Sequence, residues 1–175
     1  ARNLPQYLRQ QMRHQWAPVG GEQQRTTFSA GPCFVSDMDR AHRHLSDDTL
    51  GIVGLGHIGM EVARRARAFG LRVLAVDPVV NDAPEEYGLL GGVERLDELL
   101  SASDYVVICA PHTPSTAGLF DRSRLDCMKR SAYLINIGRG AIVRLDDLVI
   151  ALREQRIAGA ALDVPPVKPW TRRPA

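Results

Sequence analysis

The chain has 175 residues, 45% of them hydrophobic, and a formal net charge of +2 at pH 7. This length supports one hydrophobic core and is short for two domains of ordinary size, so we expect one globular domain. Acidic and basic residues are interleaved, and no apolar run approaches the roughly 18 residues that span a bilayer, so the composition predicts neither a nucleic-acid surface nor a membrane segment.

The N-terminal part predicts an arm helix followed by an irregular connection. Over residues 4–16, leucine, methionine and tryptophan recur at every fourth position, which places them along one side of a helix. Residues 17–43 follow neither hydrophobic period, which is typical of an irregular or disordered connection. We therefore expect the arm helix and connection at 1–48, a globular domain at 49–164 and a C-terminal tail at 165–175.

From residue 49 onward, apolar strand-like runs alternate with helix-like segments. The alternation is typical of a doubly wound α/β fold of Rossmann type, in which right-handed crossovers place helices on both faces of a parallel sheet. We predict the strand order 3-2-1-4-5-6, with ligands beyond the carboxyl ends of the strands where that order reverses. The strand-like runs lie at 50–53, 71–76, near 92–93, 105–109, 132–136 and 157–162, and the helix-like runs at 60–69, 96–101, 123–129 and 145–154.

Three glycines after the first of these strands predict a dinucleotide-binding turn. Gly54 permits a tight turn, Gly56 lets the backbone approach a diphosphate, and Gly59 lets a helix pack closely on the strand. Asp77 ends the second strand about 20 residues later, which is the spacing of a carboxylate that contacts an adenine ribose. The alternative is a tight strand-to-helix turn that binds no ligand.

The ends of the later strands supply further candidate residues. The fourth strand ends at Ala110 and Pro111, and the fifth leads into Arg139, which two glycines flank. A guanidinium there offers a bidentate fork to a carboxylate or a phosphate, and a structural pairing with a nearby Asp is the alternative. Asp163, at the end of the sixth strand, is either an acceptor for a carboxamide or a cap of the following loop.

The three cysteines have neither metal-binding nor redox spacing. They are Cys33, Cys109 and Cys127, and Cys109 within an apolar strand fits a small buried residue. We expect no metal site. An odd cysteine count without a signal pattern favours a reducing compartment, so we expect a cytoplasmic protein.

Five ordered motifs resemble those of one enzyme family. They are GLGHIG at 54–59, Asp77-Pro78, PHTPST at 111–116, INIGRGAIV at 135–143 and GAALDV at 159–164. Together they are similar to the NAD-binding domain of the D-isomer-specific 2-hydroxyacid dehydrogenases, in particular of phosphoglycerate dehydrogenase-like and glyoxylate–hydroxypyruvate reductase-like members. The resemblance implies NAD as cofactor, and Asp77 favours NAD over NADP because a carboxylate repels a 2′-phosphate.

The resemblance also implies roles for the motif residues. Arg139 is the implied catalytic residue, holding the carboxylate of a 2-hydroxy or 2-keto acid while a hydride passes to or from the nicotinamide. The resemblance implies that Asp163 contacts the carboxamide of the nicotinamide. The implied cofactor-binding positions are Gly54, Gly56, His57, Ile58, Gly59, Asp77, Pro78, Ala110, Pro111, Thr116, Ile137, Gly138, Arg139 and Asp163.

The chain departs from the family pattern where an acid/base pair is expected. The family orients a catalytic His with a Glu, but the Glu position, five beyond Asp163, is Lys168, and none of the five histidines matches that His. His112 falls nearest the nicotinamide side. A histidine in such a loop more often shapes the loop or interacts through its backbone than acts as an acid or base. We therefore expect the cofactor half of an oxidoreductase, with its substrate domain largely absent and little or no activity by this chain alone.

Two other readings stay open from the sequence. One is a non-catalytic, NAD(H)-responsive binding protein similar to the co-repressors that resemble these dehydrogenases, and the other is a fragment that binds nothing productively. The apolar side of the arm helix predicts either pairing into a homodimer or packing onto its own domain.

Overall fold

A computed structural model of the chain describes residues 4–15, 17, 44–80 and 83–164. The chain divides into two units, Ala1–Asp47 and Asp48–Ala175. In the first unit, helix α1 spans Leu4–Met12 and a short 3-10 helix spans Leu45–Asp47.

Helix α1 ends four residues earlier than the hydrophobic spacing predicts. After Met12 the backbone of His14 takes a left-handed conformation, with φ of 53°. The side-chain amide of Gln10 then holds the backbone of Ala17, donating to its carbonyl at 2.7 Å and accepting from its N–H at 3.0 Å. These two hydrogen bonds stabilise a local turn in place of a continuation of α1. Trp16 and most of the predicted connection, 18–43, lie outside the described residues.

The second unit contains one six-stranded sheet in which every neighbouring pair of strands is parallel. The strand order is β3-β2-β1-β4-β5-β6, so the predicted doubly wound arrangement is confirmed. The order reverses between β1 and β4, which is where such sheets bind ligands. The strands are β1 Thr49–Val53, β2 Arg72–Val76, β3 Leu89–Gly91, β4 Tyr105–Ile108, β5 Tyr133–Asn136 and β6 Gly159–Leu162.

Helices cover both faces of the sheet, because alternate strand residues point to opposite sides. On β1, Leu50 and Ile52 belong to one buried cluster with Ala63 and Ala66, whereas Val53 belongs to a second cluster. The first cluster packs under α2, and the second packs under α3, α4 and α5. Among the described helices, none is long and apolar enough to cross a membrane. The four helices are α2 His57–Ala68, α3 Leu96–Ala102, α4 Arg122–Cys127 and α5 Leu145–Arg153.

Two element boundaries near the glycine turn and the sheet edge differ from prediction. Helix α2 begins at His57, three residues before the predicted start, because Gly56 serves as its N-cap. Strand β3 lies at Leu89–Gly91 and not near 92–93. Its pairing with β2 is irregular, and Gly91 has φ of +124°, so the chain leaves the sheet there and enters a short 3-10 helix.

Candidate functional site

The turn between β1 and α2 has two glycines at which a Cβ would collide with the backbone, Gly54 and Gly59. Gly54 has φ of +95°, and a Cβ there would lie 2.7 Å from the backbone N of Ala110. A Cβ on Gly59 would lie 2.1 Å from the carbonyl O of Gly54. The turn therefore presses against the end of β4 while α2 packs directly on the turn, as predicted for these two positions.

The third glycine of the turn faces open space. A Cβ on Gly56 would have no atom of the described residues within 4 Å, and no side chain among them caps the first N–H groups of α2. His57 is exposed at the first helical position, and the apolar side chain of Ile58 is 61% exposed. Free N–H groups at the start of a 12-residue helix beside an open glycine suit an anionic diphosphate.

Asp77 joins the end of β2 to the glycine turn through its carboxylate. The backbone N–H of Leu55 donates to Oδ2 at 2.7 Å, and those of Val79 and Val80 donate to Oδ1 at 2.8 and 3.0 Å. Partial burial raises the pKa of Asp77, but these backbone hydrogen bonds outweigh it and leave the pKa below its ordinary value. Asp77 is therefore ionised at neutral pH and held at the turn.

A cavity of about 450 Å³ lies between the ends of β2 and β3. Asp77 and the exposed Pro78 line it on the β2 side, and Gly92 and Glu94 line it on the β3 side. Asp77, which the sequence predicts to contact a ribose, therefore lines a cavity at the carboxyl edge of the sheet.

A larger cavity of about 930 Å³ lies at the ends of β4 and β5. Because β1 separates β2 from β4 in the sheet, the glycine turn lies between the two cavities. Six of the predicted residues line the larger cavity together with five others. The predicted ones are Ile58, Ala110, Pro111, Ile137, Gly138 and Arg139, and the others are Cys109, His112, Gly140, Ala141 and Val164.

Arg139 is presented to this cavity by a buried asparagine that the sequence analysis did not single out. Asn136 is fully buried; its Oδ1 accepts from the N–H of Gly138 at 3.0 Å, and its Nδ2 donates to the carbonyl of Arg139 at 2.9 Å. The guanidinium of Arg139 is exposed, donates to the carbonyl of Gly138 at 2.8 Å and forms no ion pair within the described part of the chain. Arg139 is thus available to an anionic ligand.

The loop after β4 is folded by Thr116, which is not among the residues lining either cavity. Its hydroxyl donates to the carbonyl of Pro111 at 2.7 Å and accepts from the N–H of Thr113 at 2.8 Å. Thr116 therefore shapes the cavity wall through Pro111. His112 lines the cavity and is exposed.

Asp163 is less closely tied to the site than the other predicted residues. Its backbone N–H donates to the carbonyl of Asn136 at 3.0 Å, which continues the pairing of β6 with β5. Its side chain is exposed, and the next residue, Val164, lines the larger cavity. Lys168 lies outside the described residues.

Cys109, which lines the larger cavity, is a partly buried thiol. Burial raises the pKa of Cys109 to about 11, so the thiol stays protonated at neutral pH. Both cysteines in the described ranges, Cys109 and Cys127, are free. Within those same ranges, no three His, Cys, Asp or Glu side chains are grouped so that they could hold a metal ion.

Comparison with known proteins places this arrangement in a family. A family model described as "D-isomer specific 2-hydroxyacid dehydrogenase, NAD binding domain" matches residues 1–174. The glyoxylate reductase of Thermococcus kodakarensis is 46% identical over 123 residues, which cover 70% of this chain and 36% of that relative. The chain therefore spans little more than a third of the length of this curated relative.

Solved structures with the same fold contain dinucleotides. A D-isomer specific 2-hydroxyacid dehydrogenase from Xanthobacter autotrophicus, in complex with NADPH and MES, has a TM-score of 0.77 and 30% identity, and the match covers 98% of this chain and 62% of that one. The D-lactate dehydrogenase of Aquifex aeolicus, complexed with NAD and lactic acid, has a TM-score of 0.71 and 30% identity, with 95% and 44% covered.

The residues at the carboxyl edge of the sheet fit this cofactor. Gly56 leaves the space that a diphosphate needs, α2 offers its uncapped N–H groups, and Asp77 is ionised beside the turn. The matched family, the strand order and these features of the glycine turn agree with one another. The chain belongs to the D-isomer-specific 2-hydroxyacid dehydrogenase family, of which it carries the NAD-binding domain.

Proposed function

We propose that this domain serves an enzyme that interconverts a 2-hydroxy acid and a 2-keto acid, with Arg139 binding the substrate carboxylate. The observation that carries the proposal is the exposed guanidinium of Arg139, which lines the larger cavity and has no ion-pair partner among the described residues. A guanidinium fork matches a carboxylate in a bidentate pair. The names of the relatives support this substrate class, since one is a glyoxylate reductase and another was solved with lactic acid.

The residues of this chain would orient the reactants. Bound NAD(H) supplies or accepts the hydride at its nicotinamide ring. Ile58, Ala110 and Ile137 give the larger cavity apolar walls beside Arg139, against which the substrate would be oriented. Asn136 would keep Arg139 in place through the two hydrogen bonds described above.

We propose that these 175 residues alone convert substrate slowly, because the described residues include no oriented acid/base pair. His112 is the imidazole that lines the larger cavity, and within the described ranges no carboxylate accepts a hydrogen bond from it. A Lys stands at position 168, where the family pattern has Glu. General acid/base catalysis contributes on the order of 10² to 10⁴-fold, so its loss would leave binding intact and turnover weak.

The experiment that tests Arg139 measures binding of a non-reacting carboxylate to the NADH-bound protein. Oxalate is titrated against the wild type and the Arg139→Gln variant, with Arg130→Gln, an exposed arginine outside both cavities, as the matched control. We expect Arg139→Gln to raise the oxalate Kd by about 10- to 100-fold, the size of a lost charge-assisted pair. Equal oxalate affinity in Arg139→Gln and the control would exclude this role.

A second candidate function is a non-catalytic NAD(H)-responsive binding protein similar to co-repressors, which the Lys at position 168 favours. Assays with glyoxylate and hydroxypyruvate separate the two functions. NADH binding with measurable turnover supports the dehydrogenase, whereas NADH binding without turnover in the full-length protein supports the binding protein. Absence of NADH binding would contradict both.

We also propose a homodimer in a reducing compartment such as the cytoplasm, without nucleic-acid or membrane partners. The exposed apolar side chains of Leu4, Leu8 and Met12 on α1 support pairing. The free thiols of Cys109 and Cys127 support a reducing environment. The small net charge of +2 supports the absence of a nucleic-acid partner.

A further inference from the structure

We propose that Glu94 is a second coenzyme-selectivity residue, which acts with Asp77 to exclude dinucleotides that carry a 2′-phosphate. The proposal rests on NAD binding by this domain and goes further, because it assigns discrimination against NADP to a residue outside the glycine turn and outside β2. The solved relatives show why a residue is needed: one holds NADPH and another holds NAD on a similar fold. The fold alone therefore does not determine which coenzyme binds.

The smaller cavity is where a group attached to the ribose 2′ position would lie. It opens between the ends of β2 and β3, has a volume of about 450 Å³ and is bounded by Asp77, the predicted ribose contact. Two carboxylates line it, Asp77 and Glu94, and no described Lys, Arg or His is among its lining residues. A 2′-phosphate entering this cavity brings a charge of about −1.5 to −2 at neutral pH and meets two negative charges.

Glu94 is held over the cavity by the backbone. The N–H of Gly92 donates to its Oε1 at 2.8 Å. A Cβ on Gly92 would lie 2.7 Å from Oε2, so the carboxylate folds back over the loop that follows β3. The negative charge of Glu94 is therefore held at the cavity wall by the N–H of Gly92, close against the backbone of that glycine.

The groups that could have bound a phosphate here are already occupied. Arg95, the nearest cation in sequence, is engaged by Glu98, with its Nε donating to Oε2 at 2.6 Å. The backbone N–H groups of Val79 and Val80 donate to Oδ1 of Asp77. A 2′-phosphate would find two carboxylates and no free donor among these groups, whereas a 2′-hydroxyl can donate to a carboxylate.

The test compares NADPH and NADH binding by the full chain, using calorimetric titration of the wild type, Glu94→Gln and Glu94→Lys. Glu94→Gln removes the charge and keeps an oxygen for the N–H of Gly92. Glu86→Gln is the matched control, because Glu86 is an exposed glutamate of the same region that does not line the cavity. The quantity compared is the ratio of the NADPH Kd to the NADH Kd.

We expect Glu94→Gln to lower this ratio about fivefold at low salt and Glu94→Lys to lower it on the order of 20-fold. Raising the salt from about 0.05 M to about 0.5 M should reduce both effects, because screening weakens repulsion between exposed charges. Glu86→Gln should leave the ratio within about twofold of wild type.

Three results would overturn the proposal. A ratio in Glu94→Gln equal to that of Glu86→Gln would exclude repulsion by Glu94, even if Glu94→Lys improved NADPH binding, because that gain would come only from the new cation. A change that is independent of salt would indicate a steric cause. If no protein bound NADH, wild type included, the result would instead overturn the NAD-binding role on which the inference depends.

Discussion

At the scale of single residues, Asp77 has a structural role besides its proposed contact with a ribose, because its carboxylate joins the glycine turn to the end of β2. Three backbone N–H groups donate to it, those of Leu55, Val79 and Val80. In Asp77→Asn the amide nitrogen would face at least one of these donors. We expect Asp77→Asn to lower the free energy of unfolding by about 1 kcal/mol at neutral pH.

The stability that Asp77 contributes should depend on pH in one direction. Its pKa in the folded chain lies below its ordinary value of 3.8, so the contribution is complete above that value and is lost as the pH falls through the folded pKa. Urea unfolding of wild type and Asp77→Asn from about pH 7 down to about pH 3 should show the difference shrinking only below about pH 4. Asp146→Asn, an exposed carboxylate, is the control and should cost less than about 0.5 kcal/mol. A difference that stays constant down to the lowest pH would contradict this role.

The residues of the site were predictable to different degrees from the sequence. Gly54, Asp77 and Arg139 follow strand ends in recognisable patterns, and each lies at the carboxyl edge of the sheet as expected. Asn136 gave no such signal, because an asparagine at the end of an apolar strand is equally common where the chain simply turns into a loop. Only its complete burial and its two hydrogen bonds to the Arg139 loop identify it as a positioning residue.

At the scale of elements, two glycines of the turn should serve different purposes. Gly59 is needed for packing, and we expect Gly56 to be needed for binding. Gly59→Ala would place a methyl group 2.1 Å from the carbonyl O of Gly54, so α2 or the turn must shift. We expect it to lower the free energy of unfolding by about 1–3 kcal/mol. Gly56→Ala would meet no atom within 4 Å and has a backbone that any residue can adopt, so it should cost less than about 1 kcal/mol.

For NADH binding we expect the order of the two variants to reverse, once any unfolded protein is corrected for. The methyl group of Gly56→Ala occupies the space offered to a diphosphate, so we expect the NADH Kd to rise by about tenfold or more while the fold is retained. Urea unfolding and NADH fluorescence titration of both variants measure the two effects. A Gly56→Ala protein that binds NADH as wild type does would contradict diphosphate binding at this turn.

The arrangement of elements was more predictable than their boundaries. Apolar runs in alternation with helical segments predict the strand order, because parallel crossovers have one favoured hand and the central strands are buried on both faces. Strand β3 was misplaced because it is a three-residue edge strand with irregular pairing, so packing, and not an apolar run, defines it. The end of α1 was missed because the contact between Gln10 and Ala17 leaves no periodic trace in the sequence.

At the scale of the whole molecule, the described part of the chain places its candidate ligand-binding residues along one edge of the sheet. That carboxyl edge carries the glycine turn and the exposed guanidinium of Arg139, while the central strands and the helices pack into two buried clusters. The match covers 36% of the length of the glyoxylate reductase of Thermococcus kodakarensis. If Arg139 binds the substrate carboxylate as proposed, we expect the rest of the substrate to be recognised by surfaces outside this domain.

Pairing of two chains through α1 is the last expectation, and it belongs to the whole molecule. Leu8 and Met12 lie on the same side of α1 and are 50% and 82% exposed, so burying them against a second copy would stabilise a dimer. Sedimentation equilibrium should give a mass above 19.3 kDa for wild type. The Leu8→Gln/Met12→Gln double variant should raise the dimer Kd by about tenfold or more, whereas Gln6→Ala, on the opposite side of α1, should leave it within about twofold. If wild type stays monomeric at concentrations of about 100 μM, or if the double variant associates as wild type does, α1 does not mediate pairing.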